Sequence, residues 1–146
     1  MGKVNSFETS FLQHLFNNDD IAGIGDASGL LGSSADGNLF LALFTADPGE
    51  TGVVTNECDY TGYARKAVPR TTGGWTVSGN QVTNAALLEF AQCTGGSNTA
   101  THFAVCKAGT DGVQDILYTG ALTNSMNIST GITPQFAGGA ITVTEE

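Results

Sequence analysis

The chain has 146 residues, of which 13% are charged and 40% hydrophobic, and its net charge is −9. The hydrophobic share argues against disorder, which needs low hydrophobicity, and the length suits one domain, taken as 1–146, with a core that needs no staples. Fourteen acidic residues against five basic ones leave little to hold a phosphate backbone, so no nucleic-acid partner is expected and a basic protein surface is the better match.

Residues 5–17 are predicted to form an amphipathic helix. Asn5 is placed to cap it and Glu8 to complete a capping box. Phe7, Phe11, Leu12, Leu15 and Phe16 recur at helical spacing on one face. This is a large apolar payload for a short helix. Two destinations stand equal: the sheet of the same chain, or a groove on a neighbouring subunit. The five residues are therefore the candidate inter-subunit contact. Asn17, Asn18, Asp19 and Asp20 stop the helix, and 18–38 reads as a long loop rich in Gly, Ser, Ala and Asp, with room for one short helical turn. Together 1–38 make an arm, and 39–146 a β-domain.

Leu39–Phe44 is a continuous apolar run and reads as a buried strand, followed by a turn at Asp47, Pro48 and Gly49. Further strands are predicted at Tyr63–Val68, Trp75–Val77, Gln81–Thr83, Ala86–Phe90, Thr101–Lys107, Asp115–Leu122, Ile132–Phe136 and Ala140–Thr144. Ser78, Gly79 and Asn80 mark a hairpin. About eight short strands with turn signals every eight to twelve residues point to a mainly β protein, an antiparallel sandwich or barrel. Trp75 reads as core. Arg65, Lys66 and Arg70 read as a solvated strand face, and Asp47, Glu50, Glu57 and Asp59 as a solvated acidic loop, since their spacing matches no calcium loop.

The sequence carries no nucleophile elbow, zinc-protease helix, phosphate loop or dinucleotide fingerprint. His14 and His102 stand without a nucleophile at recognisable spacing. Cys58, Cys93 and Cys106 lack zinc spacing. Three reduced thiols is the simplest reading, and one Cys93–Cys106 disulfide is the alternative. Neither a signal peptide nor an apolar run of membrane-spanning length is present, so no membrane is expected and synthesis is expected in the cytoplasm. No catalytic residue, cofactor or metal is assigned, and an enzyme is not expected.

Five segments carry a resemblance. They are Leu39-Phe40-Leu41-Ala42-Leu43-Phe44-Thr45-Ala46-Asp47-Pro48-Gly49-Glu50, Gly62-Tyr63-Ala64-Arg65, Thr101-His102-Phe103-Ala104-Val105 with Leu117-Tyr118-Thr119-Gly120-Ala121-Leu122, and Phe136-Ala137-Gly138-Gly139-Ala140-Ile141-Thr142-Val143. In order and spacing, over about residues 11 to 144, they resemble small tailed-bacteriophage virion structural proteins. Members are often labelled tail-fibre proteins, and some look like capsid decoration or cement proteins. The resemblance implies a virion component without enzyme activity, assembled in the host cytoplasm. The leading expectation is a decoration protein that stabilises the head, forms a homo-oligomer, and has the major capsid protein or other virion proteins as partners. The alternatives are a tail-fibre, collar or baseplate component, or a receptor- or carbohydrate-binding module using Trp75, Tyr60 and Tyr63.

Overall fold

A computed structural model describes residues 1–110 and 115–146. It is mainly β, with antiparallel sheets, one N-terminal helix and no closed barrel among the described residues. The chain divides into two compact units. One comprises 1–38, 68–87 and 137–146, the other 39–67 and 88–136.

In the second unit the apolar run becomes strand β1 (Asn38–Phe44). With β2 (Lys66–Pro69), β6 (Ser97–Cys106) and β7 (Ile116–Ser129) it forms a sheet of order β2-β1-β6-β7. An inner position explains why β1 is continuous rather than alternating: Leu41, Ala42, Leu43 and Phe44 are all buried. β1 pairs antiparallel with β6, Phe40 opposite Cys106 and Phe44 opposite His102. β6 pairs antiparallel with β7, and its register breaks twice, where Thr101 alone faces residues 122–125 and again between Val105 and Cys106, which pair with Tyr118 and Ile116. The first break lets β7 run well past the predicted Leu122. Opposite Phe103 stands Gly120, where a Cβ would lie 2.7 Å from the Phe103 ring. The glycine makes room for the aromatic to cover the neighbouring strand. A small sheet of β5 (Leu88–Glu89) and β8 (Gln135–Phe136) adds an aromatic series, Tyr60, Tyr63, Phe90 and Phe136, with successive ring centroids 5.4, 6.3 and 6.1 Å apart.

The first unit holds a sheet of order β3-β4-β9, made of β3 (Trp75–Ser78), β4 (Gln81–Asn84) and β9 (Thr142–Thr144). Gly79 takes φ 61° at the first corner of the β3–β4 turn, as a type II′ hairpin requires. Helix α1 (Asn5–Asn17) packs on β3 and β4. Asn84, 1% exposed, stitches this unit: its amide donates to the Ala86 and Ala137 carbonyls and accepts from the Ile141 N–H.

Several local expectations are corrected. Val4 is the N-cap and no side chain caps the helix; Asn5 is already helical, and the buried Glu8 closes no capping box. The 18–38 loop holds no helical turn. Instead Ile21 and Leu30 form a bridge that pinches off the residues between, with Asp26 accepting from the Ser28 and Gly29 N–H groups. β2 starts at Lys66, because Tyr60–Tyr63 close a turn first, with Gly62 at φ 99°. The expected Ala86–Phe90 strand shortens to β5, because the Ala86 carbonyl is taken by the Asn84 side chain.

Candidate functional site

The most organised polar cluster is built around Arg65. The turn at 60–63 and the start of β2 carry this side chain inward, where it is 2% exposed. Its Nε and Nη2 donate to the two Glu57 oxygens at 2.7 and 2.8 Å, a fork-on-fork pair. Its Nη1 donates to Asp115 and to the Ala108 and Thr110 carbonyls. Glu57 also accepts from the Tyr63 hydroxyl at 2.8 Å, and that hydroxyl accepts from the Leu43 N–H of β1. Burial lowers the affinity of the guanidinium for its proton, but the bonds to Glu57 and Asp115 outweigh it and hold the pKa above its ordinary value. The solvated basic face and the solvated Glu57 expected from sequence are thus replaced by a buried hub. Charge spacing along the chain carried no sign of it, because the partners lie 8 and 50 residues away.

Around the hub lies a cleft of about 480 Å³, lined by Glu57, Cys58, Asp59, Tyr60, Tyr63 and Arg65 among others. Its chemistry is subdued. The Cys58 thiol is pushed up to about 12 by burial and by Asp59 and Glu57. Tyr60 is raised to about 12, first by burial, and donates its hydroxyl to the Ala91 carbonyl. Burial and Glu57 raise Tyr63 as well, against the Leu43 N–H. Arg65 is committed to protein oxygens. Two buried side-chain polar atoms lack a hydrogen-bond partner among the described residues, the Asp115 Oδ1 in this cluster and the Trp75 Nε1 in the other unit. The arrangement cross-braces strand and loop, as a satisfied buried ion-pair network does.

Arg70 performs a similar task in the other unit. Its Nε and Nη2 donate to the Leu15 and His14 carbonyls at the helix C-terminus, and its Nη1 reaches Ser33 and Asp36 of the loop. Nδ1 of His14 lies 2.7 Å from the Asp19 carbonyl, and Nδ1 of His102 lies 2.8 Å from the Thr101 hydroxyl. The three cysteines are free and buried.

The structure splits the candidate helix residues. Leu12 and Phe16 are fully buried, Phe16 meeting Trp75 edge-on at 4.9 Å. Leu15 is half-buried. Phe7 is exposed and Phe11 half-buried, their rings 6.4 Å apart. Trp75 and Tyr60 are core residues and Tyr63 is half-buried, so two of the three aromatics weighed for a carbohydrate site are not presented to solvent.

Residues 31–144 match the family model described as podophage GP4 fiber I protein gp80. The match takes in all the described strands and leaves α1 outside. A comparison with curated proteins finds no match. Since the matched segment is well over half of the chain and runs through both units, the protein belongs to the podophage GP4 fiber I protein family, a family of phage virion structural proteins.

Proposed function

We propose that the protein is a structural component of the phage tail-fibre assembly, acting by binding other virion proteins and not by catalysis. The observation that carries this reading is the family match over 31–144, whose description is that of a fibre protein. Two features of the chain support it. Its best-organised polar cluster is spent on internal bracing, and its thiols are buried and held protonated where a shift is resolved. On this reading it takes no metal or cofactor, and its partners are neighbouring virion subunits.

The test is copy number per purified virion, by quantitative mass spectrometry. A copy number in the range of the portal and fibres is expected. A number matching the major capsid protein would overturn the fibre reading in favour of capsid decoration, and absence from the particle would remove both.

A further inference from the structure

The cleft of about 480 Å³ beside the Arg65 hub carries an imbalance of charge. Its lining holds two carboxylates, Glu57 and Asp59, against one cation, Arg65. Arg65 is already matched by Glu57 and Asp115. Asp59 is the surplus: it is exposed and has no ion-pair partner among the described residues. It is also held in place. The Asn98 amide donates to its Oδ1 at 3.0 Å, and the Asn98 oxygen accepts from the Asp59 and Tyr60 N–H groups, both at 2.9 Å. A fixed, exposed carboxylate lining a cleft is preorganised for a cation. The field there is negative: after burial, Asp59 and Glu57 raise the Cys58 thiol, and Glu57 raises the Tyr63 phenol against the Leu43 N–H.

We propose that this cleft receives the ammonium group of a lysine side chain from a neighbouring virion protein, with Asp59 as its counter-charge. That the partner is a virion protein rests on the fibre reading; the preference for an ammonium does not. Asn98 occupies one Asp59 oxygen and leaves the other, which is enough for the point charge of an ammonium, whereas a guanidinium fork is best met by two. A calcium ion wants about six to eight oxygens, and those of Glu57 are taken up by Arg65 and Tyr63. The half-buried Val54 and Tyr63 give the methylene stem an apolar wall. A second copy is a poor source of the lysine. It carries −9, and of its five basic residues Arg65 and Arg70 are engaged inside the fold and Lys3 is bonded to Glu145.

The test is a titration of the isotope-labelled full chain with Nα-acetyl-lysine methylamide, followed through its amide resonances. The norleucine analogue, which lacks the ammonium, is the control. The lysine probe is expected to give saturable shifts at residues 57–60 and 109–110 in the millimolar range, and the norleucine probe none. Asp59→Asn keeps the oxygen that Asn98 holds, so the fold is retained, and it should weaken the lysine probe about two- to fivefold, the scale of an exposed ion pair. Absence of shifts at the cleft would overturn the proposal. So would equal shifts from norleucine, which would make the cleft an apolar one, or an unchanged affinity in Asp59→Asn, which would move the cation elsewhere. On purified virions, a zero-length carbodiimide should join Asp59 to a lysine of another virion protein. A crosslink only to a second copy, or none, would overturn the choice of partner. The fibre reading fails separately, on copy number: a count on the scale of the capsid protein would leave the ammonium preference standing.

Discussion

Arg65 illustrates how a buried charge acts as a structural pin. It joins the Glu57 loop, the Ala108–Thr110 segment and Asp115, while Tyr63 ties the same carboxylate to β1. Replacing it strands the buried Asp115 carboxylate and the half-buried Glu57 one. Arg65→Leu is expected to cost about 3–5 kcal/mol, read as a lowered denaturant midpoint; a cost below about 1 kcal/mol would mean the hub is solvated. The thiols give a pH prediction. Burial, first of all, raises Cys58 and Cys106 from 9.0 to about 12 and Tyr60 from 10.0 to about 12. Folded-state values above the unfolded ones mean the folded protein holds these protons more tightly. The stability they contribute is complete below about pH 9 and is lost as pH rises from there through about 12. Denaturant midpoints from neutral to alkaline pH should fall over that window, and Cys58 and Cys106 should resist alkylation near pH 8 until the chain unfolds.

At the scale of elements, α1 has two apolar sectors with different duties. Leu12→Ala is expected to cost about 2–5 kcal/mol and Phe16→Ala about 3–5, because each empties a fully buried site. Phe7→Asp lies on the exposed sector and should stay within about 0.5 kcal/mol. The single Trp75 reports on this packing, so its fluorescence should shift in Phe16→Ala and not in Phe7→Asp. Equal costs at both sectors would show that Phe7 is packed as deeply as Phe16. Between strands, Gly120→Ala should destabilise the β6–β7 pair, since the new methyl meets the Phe103 ring and the ring has a buried environment to defend.

For the whole molecule, each copy carries −9, so long-range repulsion opposes any association between copies and added salt screens it. Any self-association should therefore strengthen as salt rises from about 0.05 to 0.5 M, where the Debye length contracts from above 10 Å to a few Å, read by sedimentation equilibrium. Weakening with salt would indicate an interface built on opposite charges instead. The family match covers 31–144 and omits α1, although α1 supplies Leu12 and Phe16 to the first unit's core. Trp75, inside the match, is thus covered by a residue outside it.

Local pattern alone determined the helix at 5–17, the Leu39–Phe44 strand, the Trp75–Thr83 hairpin and the mainly β class, because periodicity, apolar runs and turn residues act over a few positions. The order of the five quoted segments likewise sufficed to bring out the virion family. Other features depended on partners far away in the chain. Asn5 was displaced from the cap by Val4, and the Ala86–Phe90 strand was cut short by Asn84. Arg65 and Arg70, solvated by local reading, were drawn inward by Glu57, Asp115 and the helix-end carbonyls. The helix face was legible as apolar, but not as two sectors. Which residues of it are core was decided by Trp75, some sixty positions later, and which strand is left at the edge was decided by the order β2-β1-β6-β7. Burial and edge position are properties of neighbours in space, and a sequence names neighbours only along the chain.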